Sequence, residues 1–394
     1  RKMRRFALLT GLFVLCLALG CAQNVVESEI NHWYETAGRE LVPKTEKKRI
    51  LAALKEAGAN WRQLASALEG VSPECRSGMR YLLANMPNYD LLAMRSDILI
   101  ENVEYSYIAR ERLPWGKTIP EQLFRTAVLP YRATSEPIEK WRKDFFERLY
   151  PLVYDCKSTG EAAVKVNQWA ASVVTYKPST LVQGPYEMLK SGYGRCGELT
   201  NFLVEASRAV CIPARSAYTP WWPMRDDDHA WPEIWDTQDE SWHFIGAAEP
   251  APLDHTWFDK IVKRTGKVFA REFKRAETAR RERLHERKDL KDVTKRYVDG
   301  MGILRVKVLR AGKPATNVQV KLSVWNFSSL RPTASATTDN SGIGEIEIGA
   351  GIYLLTAGTP EFNTWQLIKV DKDEVKEVDL ELTRPKREEL VRMQ

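Results

Sequence analysis

The stretch "GYGRCGELTNFL", residues 192–203, sets a cysteine behind a glycine-rich turn and just ahead of an apolar helical repeat. Leu199, Phe202, Leu203, Ala206 and Val210 recur at helical spacing, and Cys196 lies three residues before the first of them. The spacing predicts an amphipathic helix with Cys196 in its first turn. A thiol there meets the positive end of the helix dipole, where a thiolate is stabilised. Gly192, Gly194 and Gly197 allow sharp bends and a close approach of backbone to a substrate.

The 394 residues are more than one ordinary core holds, so two or three domains are expected. At the N-terminus, Arg1, Lys2, Arg4 and Arg5 precede a short apolar run, "FALLTGLFVLCLAL" (6–19). The run is too short for a comfortable membrane span. It ends in "ALGC", which resembles the lipobox of bacterial lipoproteins; the resemblance implies cleavage before Cys21 and a lipid on its sulfur. Cys16 follows the bulky Leu15 and suits that role less well, and a plain secretory signal is the alternative. Either way the mature protein is expected to be exported, and the first reading places it in the bacterial cell envelope as a membrane-anchored lipoprotein. Without the four basic residues of 1–20, the formal charge of +7 falls to +3. So mild a surplus implies no nucleic-acid partner.

Four cysteines then remain, Cys75, Cys156, Cys196 and Cys211, at spacings that match no zinc motif and no small disulfide scaffold. No metal site and no cofactor are expected. Residues 21–150 read as a helical region: "TEKKRILAALKEAG", "NWRQLASALEG" and "SDILIENVEYSYIARERL" carry helical periodicity, and "EPIEKWRKDFFERLYPLV" continues it. Residues 151–262 form a mixed core, with "TGEAAVKVNQWAASVVTY" as a further helix. "HAWPEIWD" and "SWHFIGA" are strands around the turn "TQDE". A highly charged segment, 263–298, reads as a helical linker. Residues 299–384 alternate polar and apolar through about seven short strands, a small β-sandwich that resembles the transthyretin-like domains appended to secreted enzymes. The expected class is α+β.

"GRCGELTNFLVEASRAVCIPARS", followed by "DDDHAWPEIWD" and "SWHFIGAAEP", resembles the transglutaminase-like core, and within it the peptide:N-glycanase branch. The resemblance covers roughly residues 155–260 and implies a papain-like arrangement of a helix on an antiparallel sheet. It makes Cys196 the nucleophile and His229 its proton acceptor and later donor. In the family an aspartate four residues after the third strand's tryptophan orients the histidine. From Trp242 that position is Gly246, and Glu249 is the nearest acid in the segment. Pairing about the turn sets His229 opposite about Ala248, so Glu249 points to the wrong face unless a bulge intervenes. Trp231 shares the strand face of His229, and Tyr218, Trp221 and Trp222 either line a substrate cleft with it or pack the hairpin.

The resulting expectation is a cysteine-dependent amide hydrolase or acyltransferase acting on peptides or glycopeptides through a thioester. The alternative is an inactive lipoprotein that binds peptide or glycan. Oligomeric state is left open.

Overall fold

The computed structural model describes residues 24–275 and 289–383. The lipidation candidate Cys21 and the signal-like run before it lie outside these residues. Among the described residues, no helix is long and apolar enough to cross a membrane.

The N-terminal region is helical, as its periodicity predicts. Its main helices are α1 (Lys47–Glu56), α2 (Trp61–Gly70), α3 (Arg76–Asn85) and α4 (Ser96–Arg112). Two more, α5 (Arg142–Val153) and α6 (Thr159–Val173), pack directly on α7 (Cys196–Ala209). One apolar cluster runs from Ile30 to Ile245 without a break, so the helical region and the cysteine helix share a core. Two buried arginines join them. Arg142 donates to the carbonyls of Val128, Pro130 and Arg208, and Arg208 donates to those of Ala127, Arg132 and Ala214. Burial pulls both guanidinium groups down, to about 9 and about 10. Carbonyl acceptors that would otherwise be orphaned are thereby satisfied.

Helix α7 is not amphipathic in its surroundings. Every residue from Glu198 to Ala209 is buried, the polar Thr200, Asn201, Glu205, Ser207 and Arg208 included. Its apolar stripe fits the expectation, but helices cover one side and a sheet the other. Only the first turn, with Cys196, reaches open space.

That sheet has the order β3-β2-β1-β4-β5, from β1 (Ala214–Thr219), β2 (His229–Asp236), β3 (Ser241–Phe244), β4 (Phe269–Arg271) and β5 (Leu290–Asp292). Every pairing in it is antiparallel. Along β2, Ile234 faces α7, while Trp231 joins Ala217, Trp222, Phe258 and Tyr297 in a second core on the opposite face. Strands β4 and β5 fall within, or adjoin, the segment read as a helical linker. That reading is corrected on both flanks: Val268, Phe269 and Ala270 are apolar and complete the sheet beside β1. The most charged residues of that segment, 276–288, lie outside the described residues.

The C-terminal unit is a sandwich of two sheets. One has the order β8-β7-β10-β11 and the other β9-β6-β12. The strands are β6 (Met301–Arg310), β7 (Gln319–Asn326), β8 (Ser329–Thr337), β9 (Ile343–Gly349), β10 (Gly351–Gly358), β11 (Asn363–Val370) and β12 (Val375–Glu381). Alternate residues such as Val306, Leu322, Ile348 and Leu355 meet between the sheets, as strand periodicity requires. The α+β organisation is therefore present in full.

Candidate active site

Three local devices place Cys196. Gly192 adopts φ +73°, a left-handed conformation that glycine enters without strain. Tyr193–Gly194 then pairs in parallel with Thr175–Tyr176, which ties the approach to the helix into a short ladder. At Gly194 a Cβ would sit 2.7 Å from Met188 Sδ and 2.9 Å from Glu198 Cβ, so only glycine fits. The helix opens with Glu198 accepting from Arg195 N at 3.1 Å and from its guanidinium at 2.6 and 3.0 Å. Nothing stands within 4 Å of a Cβ built on Gly197, so the space beside the thiol is open.

That space is a cavity of about 340 Å³ lined by both Cys196 and His229. Its walls include Tyr218, Asp228, Thr134, Glu136, Asn201 and Arg271. The backbone N–H groups of Ala230 and Gly197 donate to the Cys196 sulfur, which favours the thiolate. Burial outweighs them, and Asp228 and Asp227 add repulsion, so the thiol is pushed above its ordinary value. His229 moves the other way. Burial lowers it to about 4, helped by the Arg225 charge. The helix start and its histidine were expected to bring the thiol down; the structure gives the opposite direction. Desolvation of the half-buried thiol is the main reason, and the carboxylates of Asp228 and Asp227 add to it. At neutral pH both groups rest uncharged.

The imidazole is held by aromatic rings. Trp257 and Phe258 each stand 4.8 Å from it between centroids, and Trp231 lies 5.8 Å away. Glu249, the acid nearest the family position, stands outside the cavity and takes hydrogen bonds from Trp257. Strand β3 ends at Phe244, and the chain then curls: Ala248 has φ +59° and Glu249 N donates to Gly246 O at 3.1 Å. Asn167 holds the curl from α6, accepting from Ala248 N and donating to Gly246 O. Glu249 is thereby folded back over Gly246. Its contact with His229 is indirect, through Trp257.

The structure therefore unites Cys196, His229 and Tyr218 in one cavity but leaves Glu249 behind a tryptophan. Trp222 and Trp231 are fully buried in the second core, so their placement in the cleft is corrected; their bulk fills the layer behind the sheet. Trp221 turns toward the C-terminal sandwich, where it meets Phe327 and Arg331, so it too leaves the cleft. Thr134, Glu136 and Asn201 went unread. They come from a loop some sixty residues upstream and from the covered side of α7, and no spacing rule joins them to the cysteine.

Another hydrogen-bonded chain, Ser241–His243–Asp254, has the connectivity of a hydrolase triad, with links of 2.9 and 2.6 Å. Asp239 also meets His243 Nε2 at 2.9 Å. Burial lowers the imidazole, but the hydrogen bonds and charges of Asp254 and Asp239 together outweigh it, and the ring is raised. Asp239 engages the same Nε2 that Ser241 meets, and Asp254 also accepts from Phe244 N, so the cluster staples β3 to the following loop.

Residues 150–246 match the family model described as the transglutaminase-like superfamily, and this segment is a transglutaminase-like core. The match supports a protein of the cysteine-hydrolase kind. No curated protein matches the chain. Among solved structures, a "Putative Cysteine Protease" from Cytophaga hutchinsonii is 11% identical, covering 59% of this chain and 53% of its own, at a TM-score of 0.25. A DUF3823 family protein from Parabacteroides merdae is 24% identical over 22% of this chain and 47% of its own, at 0.18. The minor pilin of Streptococcus agalactiae is 12% identical over 40% of this chain and 69% of its own, at 0.21. The chain thus spans about half the length of the first two.

Proposed function

We propose that this protein is a cysteine-dependent amide hydrolase or acyltransferase of the cell envelope, lipid-anchored through Cys21, acting on peptides or glycopeptides. The observation that carries the reading is the shared cavity: Cys196 heads a helix and opens onto about 340 Å³ of space that His229 also lines. Cys75, Cys156 and Cys211 are buried, and none of them lines this cavity.

In this reaction the Cys196 sulfur attacks the substrate carbonyl carbon and its proton passes to His229. The amide C–N bond then breaks, and His229 returns the proton to the leaving nitrogen, which departs as an amine. Water attacks the resulting thioester, gives a proton through His229 to the sulfur, and releases a carboxylic acid. Because both groups rest neutral, the charge pair forms only as the carbonyl is attacked. The helix N-terminus and the adjacent N–H groups are placed to stabilise the negative oxygen that develops.

A second reading, a cleft that binds peptide or glycan without cleaving it, is favoured by one observation: Glu249 engages Trp257 and not His229. Peptide-library digests with the native protein and with Cys196→Ala separate the two. Cleavage products that vanish in the variant support the hydrolase, and identical digests with retained peptide binding support the receptor.

A further inference from the structure

A hairpin of the C-terminal sandwich meets the loop that leads to His229. Strands β7 and β8 are joined by Phe327 and Ser328, at φ +47° and +55°. Two left-handed residues make the tight turn that hairpins favour, but the usual occupants are glycine, asparagine or aspartate. A phenylalanine there is strained, and strain of this kind persists only where the surroundings impose it.

The surroundings are the loop 222–228, which leads directly into His229. Asn326, fully buried at the end of β7, donates through Nδ2 to the carbonyls of Trp222 (3.0 Å), Arg225 (2.9 Å) and Asp227 (3.0 Å). Phe327 N donates to Asp226 Oδ1 at 3.0 Å, and the Phe327 ring meets Trp221 edge-on at 6.3 Å. The loop also closes on itself, with Trp222 N donating to Asp227 O at 3.1 Å. Away from this clasp, Pro223 and Met224 stand over a cavity of about 390 Å³ shared with Ile352 of the sandwich. The hairpin tip is thus where the sandwich grips the loop.

We infer that Asn326 is a positioning residue for the cavity: by holding the loop 222–228 it fixes His229 and the Ala230 N–H that bonds the Cys196 sulfur. The inference rests on the reading of that cavity as the active site. It gives the sandwich a part in setting the site, beyond that of a spacer. The chain of contacts is short. Only Asp228 separates Asp227, whose carbonyl Asn326 holds, from His229, and the next N–H reaches the sulfur.

The test is the pH profile of Cys196 alkylation by iodoacetamide, with the modified residue identified by mass. In Asn326→Ala the loop loses its three hydrogen bonds and Ala230 loses its fixed place. The alkylation midpoint should move to higher pH, slowing Cys196 about threefold at a given pH, because only the thiolate reacts. Cys75, Cys156 and Cys211 should stay protected, which a general loosening would not allow. A folded Asn326→Ala with the native profile overturns the inference. Should that variant fail to fold, Asp226→Ala, which removes an exposed acceptor of the same clasp, must show a smaller shift in the same direction; no shift overturns the inference equally. Alkylation needs no turnover, so a failure of the hydrolase reading in the digests leaves this outcome independently readable.

Discussion

The carboxylate of Glu249 occupies the space into which a side chain on Gly246 would have to grow. A Cβ at Gly246 would lie 2.6 Å from Glu249 Cδ and 3.0 Å from its Cβ. The family's aspartate position and its neighbouring glutamate therefore compete for one volume, and in this chain the glutamate holds it. Gly246→Asp should lose about 1–3 kcal/mol through overpacking alone. The double variant Gly246→Asp/Glu249→Ala should recover much of that loss. Thermal unfolding of the three proteins checks it, and additive losses in the double variant would contradict the shared volume.

Glu249 reaches His229 only through Trp257. Replacing the carboxylate that orients a catalytic histidine costs on the order of 10⁴ in rate. Here Glu249→Gln keeps an acceptor for Trp257 and should change any Cys196-dependent cleavage by less than about tenfold. Trp257→Ala, which removes a ring 4.8 Å from the imidazole, should cost more. Cleavage rates of the two variants, compared side by side, give the answer. A larger loss in the glutamine variant would mean that Glu249 meets His229 directly.

The charge states in the cavity predict how the thiol responds to pH. With the thiol raised and the imidazole lowered, no thiolate–imidazolium pair exists at neutral pH. Alkylation of Cys196 should rise steadily as pH increases through 9, with no reactive plateau between pH 4 and 8. A plateau in that window would reveal a resting ion pair and reverse the assignment of both groups.

The two histidines push stability in opposite directions. His229 is lowered in the folded state, so its contribution is complete above the unfolded value near 6.5 and is lost as pH falls toward 4. That loss is on the order of 3 kcal/mol at most. His243 is raised, so its contribution is complete below about 6.5 and is lost as pH rises through its folded value. Denaturant unfolding across pH 4–8 should therefore show the acid slope weakened in His229→Gln and the alkaline slope weakened in His243→Gln. Parallel curves for native protein and both variants would contradict this.

Behind the sheet, Glu233 is fully buried between three donors. Arg215 Nε bonds it at 2.6 Å, Arg296 at 2.9 Å and the Tyr297 hydroxyl at 2.6 Å. Trp231 donates in turn to Tyr297 at 2.9 Å. Glu233→Ala would strand Arg215 without its counter-charge, at a cost of about 3–5 kcal/mol. A fall in unfolding free energy below about 1 kcal/mol would mean that water replaces the carboxylate.

Much of this was legible in the chain. Glycines before Cys196, the helical repeat after it and the alternation of "HAWPEIWD" are local signals, and each element forms where its pattern predicts. Strand β8, "SLRPTASAT", escaped notice because it is mostly polar and carries Pro332, so alternation alone does not mark it. Strands β4 and β5 were hidden by the charges around them. The cleft tryptophans were misplaced for a deeper reason: composition gives a ring's size but not which side of a sheet is covered. The direction of the Cys196 shift failed likewise. A motif supplies the helix dipole, but desolvation depends on how deeply the first turn is buried, and that is a property of helices far away in sequence.

Cys75, Cys156 and Cys211 are buried and unpaired, and Cys196 is free as well. The described fold therefore owes nothing to oxidation, and its assembly should be indifferent to whether the host compartment is reducing. Among these four cysteines, a thiol titre near one equivalent in native protein and four after denaturation would serve as a bench measure of correct folding.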